Sequence, residues 1–452
     1  MNPPYVEAKE TTIYQRSSPH PLRTLTSGVL SPAKWKQSAV TFLINALLAA
    51  AVWDLTFRSE NLYDGKDLSF ARIGHVDHNS AKMVVREPHG KNWPVVVWYA
   101  PEDQMTDVVP PTMVDSIPAL SEDTDYTKTI TIPRLNAQTK YRYSTSTNQT
   151  GTFTTAPAPG EFPRDGKFTF LHSSCVKARF PYSVFEHPLG IAGFRTLGKM
   201  LKGLNASFML FLGDWIYIDV PRRPGVEKED YIRHYRQVYD SPDWPAVGNE
   251  LPWMHVFDDH EIANDWDQGK TGVYDAAITP FTNYQHYANP PSVRPGETYY
   301  SFNWGSSASF FLLDTRSYRA PRDEPDGPGK SMLGDQQRRD LIAWLKADGP
   351  NSPQWRFIIS SVPFTKNWHY ASANDTWAAY LWERKQVLEA AWSIGGHAGV
   401  VVLSGDRHEF AATKFPPPKG SVWAEAEREE RGNDVWEFSC SPLSQVCFFV
   451  EV

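Results

Sequence analysis

The sequence predicts a layered α/β catalytic domain preceded by an all-β sandwich. The first observation is a change of pattern near residue 165, where short β-rich runs give way to apolar strands that alternate with helices. The second is that the later strands are continuously apolar, as expected for strands buried on both faces of a sheet. The third is that these strands end in acidic, thiol and imidazole side chains, at the edge where ligands bind in open α/β sheets.

The composition is that of a globular protein with two or three domains. The chain has 452 residues, of which 41% are hydrophobic and 21% are charged, and neither value indicates disorder. The formal net charge is −7 with no basic stripe, which argues against a nucleic-acid-binding surface. The three cysteines argue against a disulfide framework. The sequence does not indicate an oligomeric state.

The N-terminal region contains a candidate membrane anchor. Residues 1–36 are polar and rich in Pro and Ser, which is typical of a flexible tail. Residues 37–53 carry no charge and reach the lower limit for a spanning helix, about 17 residues. We therefore expect an anchor over residues 37–56, with an amphipathic or core helix as the alternative. Lys34 and Lys36 precede the run, so the positive-inside rule predicts a single-pass membrane protein with a lumenal or extracellular body.

Residues 65–156 are predicted to form the β-sandwich. Five runs are rich in β-branched and aromatic residues: 81–86, 95–99, 127–132, 135–143 and 151–155. Strands at this spacing favour a sandwich, and the last two runs resemble the end of a fibronectin type III or immunoglobulin-like module. The Pro-containing stretch 156–160 is then the linker to the next domain.

Residues 165–452 are predicted to form the α/β domain. The predicted strands are 168–172, 208–212, 253–257, 309–313, 355–359 and 399–403. Helical spacing is found in 193–202, 335–346 and 383–393. Such alternation predicts a buried sheet with helices packed on it.

Reactive side chains follow five of these strands. They are Ser173-Ser174-Cys175; Gly213-Asp214 with Tyr217; Asp258-Asp259-His260-Glu261 with Asn264 and Asp265; Asp314 with Arg316; and Gly405-Asp406-Arg407-His408-Glu409. Each fragment alone is weak, because Gly-Asp after a strand is usually a turn. Several carboxylates at one sheet edge are best reconciled by bound cations, since buried charges without a partner are costly. The order and common placement of the fragments therefore indicate a metal site.

These motifs resemble those of the calcineurin-like metallophosphatases, and in detail those of the alkaline phosphatase D (PhoD-like) family. The matching residues between 165 and 443 are Ser174-Cys175, Gly213-Asp214, Ile216-Tyr217, Asp258-Asp259-His260-Glu261, Asn264-Asp265-Trp266, Asp314, Arg316, Arg319 and Gly405-Asp406-Arg407-His408. The resemblance implies a metallophosphatase-type α/β sandwich. It also implies hydrolysis of phosphate monoesters or diesters by a metal-activated hydroxide. The residues after Ser444 do not resemble the continuation found in the family, so a truncated C-terminus is expected.

The resemblance also implies a set of metal ligands. Asp214 would bridge the metals, and the ferric side would be held by Cys175, Tyr217 and His408. The hard-cation side would be held by Asp259, Asn264 and Asp406. Thiolate and phenolate donors suit Fe³⁺, and an oxygen-rich set suits Ca²⁺, with Mg²⁺, Mn²⁺ or Zn²⁺ as substitutes.

Some of these residues have structural alternatives. Cys175 would otherwise be a small core residue, and Tyr217 would otherwise cap the pocket by packing. Cys440 and Cys447 are interpreted as packing residues.

The predicted catalytic residues are His260, Asp259 and Arg407. His260 is expected to bind the phosphoester and protonate its leaving group, oriented by Glu261 or Asp258, and Arg407 is expected to hold a phosphate oxygen. For Arg316, phosphate binding and a structural ion pair are equal alternatives. The alternative function is a non-catalytic, membrane-anchored ectodomain with a degenerate phosphatase fold.

Overall fold

The computed structural model describes residue 28 and residues 35–104, 111–347, 352–365, 373–394, 399–425 and 434–445. The chain divides into two compact units, Met1–Arg58 and Ser59–Val452. Most of the predicted tail and the residues after 445, where truncation is expected, lie outside the described residues.

A helix covers the predicted anchor. The helix α1 (Trp35–Leu62) is 28 residues long, whereas about 20 apolar residues are enough to span a bilayer. Many of its large apolar side chains are exposed, among them Phe42, Leu47 and Val52. The helix is therefore long and apolar enough to cross a membrane, although a secretory signal sequence near an N-terminus has similar features.

Two antiparallel sheets begin the second unit. Their strands are β1 (Phe70–Val76), β2 (Ser80–Arg86), β3 (Val95–Pro101), β4 (Thr112–Ile117), β5 (Thr127–Pro133), β6 (Lys140–Thr145) and β7 (Thr150–Thr154). One sheet has the order β1-β2-β5 and the other β4-β3-β6-β7. Side chains from both sheets form one apolar cluster, which includes Ile73, Met83, Val97 and Tyr141. The two sheets therefore pack face to face.

Two further sheets, which contain parallel strands, follow along the chain. Their strands are β8 (Thr169–Val176), β9 (Ala206–Leu212), β10 (Trp253–Val256), β11 (Tyr300–Trp304), β12 (Ala308–Leu312), β13 (Trp355–Ser360), β14 (Gly399–Ser404), β15 (Ala411–Phe415), β16 (Val435–Ser439) and β17 (Pro442–Ser444). The sheet orders are β10-β9-β8-β17 and β11-β12-β13-β14-β16-β15. In the second of these sheets β12, β13, β14 and β16 are parallel to one another, and the edge strands β11 and β15 are antiparallel to β12 and β16. All four strands of the first sheet are parallel. Strands are found at all six predicted positions.

Helices connect these strands. They are α2 (Ala192–Leu204), α3 (Lys228–Tyr239), α4 (Pro245–Gly248), α5 (Tyr274–Tyr284), α6 (Gly334–Lys346), α7 (Leu381–Trp392) and α8 (Val422–Glu425). Short 3-10 turns lie at Gly90–Asn92, Glu102–Gln104, Glu122–Thr124, His286–Ala288, Ala373–Asp375 and Trp377–Ala379. The three predicted helices correspond to α2, α6 and α7.

The two parallel-strand sheets pack against each other, with helices on their outer faces. Along β9, Phe208, Leu210 and Leu212 belong to a cluster shared with strands of the second sheet. The intervening Met209 and Phe211 belong to a cluster that includes residues of α2, α3 and α5. Burying one such side chain stabilises a fold by about 1.5–3 kcal/mol, so β9 is stabilised from both faces. The layered α/β prediction is confirmed by this arrangement.

A buried ion-pair network joins the N-terminal sheets to the α/β layers. The carboxylate of Asp125 accepts hydrogen bonds from Arg86 Nη2 at 3.1 Å and from Arg236 Nε at 2.8 Å. Arg72 of β1 donates from Nη1 to the carbonyl oxygen of Trp253 at 3.0 Å. Buried charges are tolerated only when they are paired, so this network ties β1 and β2 to β10 and α3 within one unit.

Candidate active site

The predicted site residues lie at the carboxyl ends of parallel strands and in the turns that follow. Left-handed backbone is found at five of these residues: Cys175 (φ 62°), Asp214 (φ 58°), Asp265 (φ 58°), Asp406 (φ 68°) and His408 (φ 57°). Left-handed backbone at a residue other than Gly costs on the order of 1–3 kcal/mol and persists only where the surroundings enforce it. The turns are therefore held in place by the rest of the fold.

Two glycines allow these turns to approach each other closely. A Cβ atom on Gly213, which has φ 100°, would lie 2.4 Å from Asp258 Cβ. A Cβ atom on Gly405 would lie 2.8 Å from Ser174 Cβ. Any side chain at either position would push the loops apart, so these Gly residues set the spacing of the site.

Four residues predicted as metal ligands come together around the carboxylate of Asp214. Asp214 Oδ2 accepts hydrogen bonds from Cys175 Sγ at 3.2 Å and from Tyr217 Oη at 3.0 Å. Tyr217 Oη lies 2.9 Å from His408 Nε2. Ligand atoms of Cys175, Asp214 and His408 all lie within 4.8 Å of one another. This cluster combines thiol, phenol, imidazole and carboxylate donors.

A second, carboxylate-only cluster shares Asp214 with the first. Carboxylate oxygens of Asp214, Asp258, Asp259 and Asp406 lie within 4.8 Å of one another. A further group of three contains Asp259, Asp265 and Asp375. Asp258, Asp265 and Asp375 were not among the ligands expected from the sequence.

Burial makes the negative charges of this site unfavourable without cations. It raises the pKa of Asp214 and of Asp406 well above 3.8, and nearby carboxylates add to the effect. Burial also raises the pKa of the Cys175 thiol and of the Tyr217 phenol, with Asp214 contributing. A bound cation reverses these shifts because it stabilises the deprotonated ligands.

Several carboxylate oxygens in the candidate metal-ligand clusters have no hydrogen-bond partner among the described residues. Among the described residues, Asp214 Oδ1, Asp258 Oδ2 and Asp406 Oδ2 are buried and accept no hydrogen bond. Buried polar atoms without partners are rare in native proteins. The donor set and these free oxygens together fit bound metal ions.

Glu261 fastens two of the turns to each other. Its carboxylate accepts hydrogen bonds from the backbone N–H groups of Asp214 at 3.0 Å, of Trp215 at 2.5 Å and of Asp258 at 2.7 Å. Burial raises the pKa of Glu261 to about 8, although these backbone donors lower it. Glu261 therefore positions the backbone of two candidate ligands.

The prediction that Glu261 or Asp258 orients His260 is wrong. Neither Glu261 nor Asp258 orients the imidazole, because Glu261 binds backbone N–H groups and Asp258 Oδ1 is occupied by Arg316 and Ser361. Instead, His260 Nδ1 lies 2.6 Å from Asp219 Oδ1. Burial alone would lower the pKa of His260, but nearby Asp carboxylates, including Asp219, raise it well above 6.5.

His260 also lies at the edge of the metal-ligand clusters. A ring nitrogen of His260 is within 4.8 Å of carboxylate oxygens of Asp214 and Asp259. Sequence reasoning missed Asp219, although it stands only five residues after Asp214 in the same turn.

Arg316 is enclosed by carboxylates. Its side chain is fully buried, and it donates to Asp258 Oδ1 at 2.5 Å and to both oxygens of Asp375 at 2.8 Å. Arg319 is also paired with Asp375. Of the two interpretations of Arg316, this geometry favours the structural ion pair over the predicted contact with substrate.

Arg407 and Asn264 lie at the outer part of the site. Within the described part of the chain, Arg407 Nε is a buried donor without a hydrogen-bond partner. The side chain of Asn264 is exposed, and its backbone N–H donates to Asp219 Oδ2 at 2.7 Å. The predicted roles of Arg407 in phosphate binding and of Asn264 as a metal ligand both stay predictions.

A two-sheet α/β sandwich with acidic, thiol and imidazole donors at its strand ends has the architecture of a metallophosphatase-type protein. Within that class, a family model described as PhoD-like phosphatase matches residues 170–451. The chain belongs to this family, which confirms the resemblance stated from the motifs.

The chain is similar to one curated protein and to one solved structure. Alkaline phosphatase D of Bacillus subtilis (strain 168) is 26% identical over 319 residues, which are 61% of this chain and 52% of that protein. The chain thus spans about half the length of this curated relative. A solved structure of PhoD superimposes with a TM-score of 0.61 at 21% identity, covering 83% of this chain and 77% of that chain. At this identity the superposition shows the shared α/β fold.

Proposed function

We propose that this protein hydrolyses phosphate monoesters or diesters with the help of metal ions. The observation that carries the proposal is the convergence of Cys175, Asp214 and His408 with a carboxylate cluster that has unpartnered buried oxygens. Phosphoryl transfer depends mainly on positioning and on neutralising charge, and clustered cations serve both purposes. Membership of the PhoD-like phosphatase family supports the same reaction class.

The donor types divide the site into two sides. Cys175, Tyr217 and His408 would hold Fe³⁺, because anionic thiolate and phenolate ligands stabilise the ferric state. The carboxylates of Asp259 and Asp406 would hold Ca²⁺, or Mg²⁺ or Mn²⁺ in its place. When bound, the metals would supply Lewis acidity and a nucleophile derived from water. Asp214 lies in both clusters and would bridge the two sides.

The remaining residues act on the substrate. His260, held by Asp219, would donate a proton to the leaving oxygen. Arg407 would use its unpartnered Nε to bind a phosphate oxygen. Asp258, whose Oδ2 accepts no hydrogen bond from the described residues, would extend the hard-cation side beyond the predicted ligands.

The domain organisation follows the same logic. The segment 37–56 would anchor the protein in a membrane, with a lumenal or extracellular body. Residues 65–156 would form a fibronectin type III or immunoglobulin-like sandwich, and residues 165–452 the catalytic domain. The two face-to-face antiparallel sheets support the sandwich assignment.

Asp214→Ala tests the proposed reaction. Purified wild-type protein is assayed for bound metals and for hydrolysis of an aryl phosphate monoester and a bis-aryl phosphate diester. We expect Asp214→Ala to abolish both activities, because both sides of the site lose a ligand. Asp335→Ala removes a 70% exposed carboxylate on α6 and serves as the control. Substantial activity in folded Asp214→Ala, or none in the metal-loaded wild type, would contradict the proposal.

A further inference from the structure

Two buried side chains outside the predicted ligand set lie next to Cys175. Ser174 Oγ is 2.8 Å from Cys175 Sγ, and Cys440 Sγ donates to Ser174 Oγ at 3.6 Å. Ser174 is 1% exposed and Cys440 is 6% exposed. The sequence interpretation gave Ser174 no function and treated Cys440 as packing, so the contact between the two residues is not explained by the proposed reaction.

Three segments hold the Ser174 hydroxyl in this position. Ser174 pairs with Pro442 in the parallel β8–β17 ladder. The backbone N–H of Cys440 donates to Ser404 O at 2.9 Å, which fixes the start of that segment. A Cβ atom on Gly405 would lie 2.9 Å from Ser174 Oγ. The hydroxyl is therefore packed between β17 and the turn after β14.

The direction of the two hydrogen bonds follows from the chemistry of a bound thiolate. A thiolate has no hydrogen to donate, so the Ser174 hydroxyl must donate to Cys175 Sγ. The lone pairs of Ser174 Oγ then accept the S–H of Cys440. The Ser174 O–H then points to the Cys175 sulfur, and the Cys440 S–H points to Ser174 Oγ.

We propose that Cys440 and Ser174 form a hydrogen-bond donor chain that tunes and retains the iron held by Cys175. The proposal rests on the iron ligation proposed above, and both residues are positioning residues that act through the Cys175 sulfur. Partners that hydrogen-bond to a ligand fix its orientation and tune the metal. Donation to the sulfur lowers the energy of its lone pairs, which moves thiolate-to-iron charge transfer to shorter wavelength.

The protein contains a closely matched control residue for the proposed hydrogen-bond donor chain. Ser173 precedes Ser174 on the same strand and is 7% exposed, but its hydroxyl donates to Ser441 O at 3.2 Å. Ser173→Ala therefore removes a neighbouring buried hydroxyl without touching the sulfur. Cys440→Ala removes the outer donor and leaves the inner one.

The experiment compares these variants in the full chain, purified without added metals. The charge-transfer band is first assigned to the thiolate by its loss in Cys175→Ala. We expect Ser174→Ala to move this band to longer wavelength and to weaken iron binding to a competing chelator by about 10-fold to 100-fold. Cys440→Ala should move the band in the same direction by less, and Ser173→Ala should leave it unchanged.

The outcomes separate this inference from the proposed function. A wild-type band in Ser174→Ala overturns the donor chain and leaves iron ligation by Cys175 standing. A wild-type protein that hydrolyses phosphoesters without iron overturns the donor chain but not the reaction. If Ser174→Ala does not fold, Cys440→Ala and the hydroxyl-retaining Ser174→Thr decide, and an unshifted band in Cys440→Ala then refutes the chain.

Discussion

Replacing Asp219 with Asn should slow hydrolysis of esters with poor leaving groups far more than hydrolysis of activated esters. Asp219 Oδ1 lies 2.6 Å from His260 Nδ1, and its second oxygen accepts from the Asn264 N–H. Asn has nearly the same size, so the turn is preserved. It lacks the negative charge that orients the ring and favours its protonated form. His260 would therefore become a weaker proton donor.

The size of the effect follows from the strength of this contact. A hydrogen bond to a charged group contributes about 1.5–3 kcal/mol. Because 1.36 kcal/mol corresponds to a factor of ten in rate, kcat for a poor leaving group should fall by about 10-fold to 150-fold. Complete removal of a general acid costs about 10²–10⁴ in rate, so His260→Ala should be slower still. The double variant should be no slower than His260→Ala, because the two residues act as one unit.

The assay measures kcat and KM for an alkyl phosphoester and for a dinitrophenyl phosphoester. The dinitrophenolate leaves without protonation, so its kcat should change little in Asp219→Asn. Asp77→Asn is the control, because it alters another Asp–His contact, of 2.9 Å with His78, in the N-terminal sheets. Equal losses of kcat for both esters, or a change confined to KM, would refute the positioning of His260 by Asp219.

Four further predictions concern other parts of the molecule. Arg316→Met leaves the buried carboxylate of Asp258 without its cationic partner and Asp375 with Arg319 alone, so we expect urea denaturation to show a loss of about 3–5 kcal/mol; raised KM at unchanged stability would instead favour phosphate binding. Glu261→Gln replaces one of two accepting oxygens with an amide nitrogen that cannot accept backbone N–H groups, and it should lower the unfolding free energy by about 2 kcal/mol in the same measurement. Tyr217→Phe should bleach or shift the visible absorption of the iron-containing protein, and an unchanged spectrum would exclude a phenolate ligand. The full chain should resist carbonate extraction, deletion of residues 37–53 should release it, and protease protection of the body in sealed vesicles would place it on the lumenal side.

The sequence pattern predicts the buried strands well and the irregular ones poorly. Strand β9 is detected because every residue of 208–212 is apolar and both faces are buried. Strand β1 is missed because Arg72 and Gly74 interrupt its apolar pattern, although Arg72 is fully buried by its contacts with distant carbonyl groups. The helix α3 is missed because its buried residues are mostly tyrosines spaced four apart, Tyr231, Tyr235 and Tyr239, with Ile232 as the one aliphatic residue among them. Both elements are stabilised by contacts with residues distant in sequence, and a local sequence pattern does not contain that information.

The candidate site shows the same division. Cys175, Asp214 and His408 follow strands in recognisable motifs, and the fold brings them together. Asp375 follows none of the predicted strands, and only the fold places it beside Asp259 and Arg316. Asp219 is 41 residues from His260, so no local pattern links them. Candidate metal ligands at strand ends can be predicted from sequence motifs. The residues that hold those ligands in place cannot, because only the tertiary fold brings them together.

The left-handed backbone conformation of Cys175 also favours a bound metal ion. Asp is found in left-handed turns more often than most residues other than Gly, so this backbone is less unusual at Asp214 and Asp406. Cys shows no such preference, yet Cys175 has φ 62° at the end of a buried strand. That conformation directs its sulfur to Asp214, where burial disfavours both the thiolate and the carboxylate. A shared cation would stabilise the anionic forms of both side chains, and it would also fix the geometry that requires the strained backbone at Cys175. Metal loading should therefore stabilise the fold as well as complete the site.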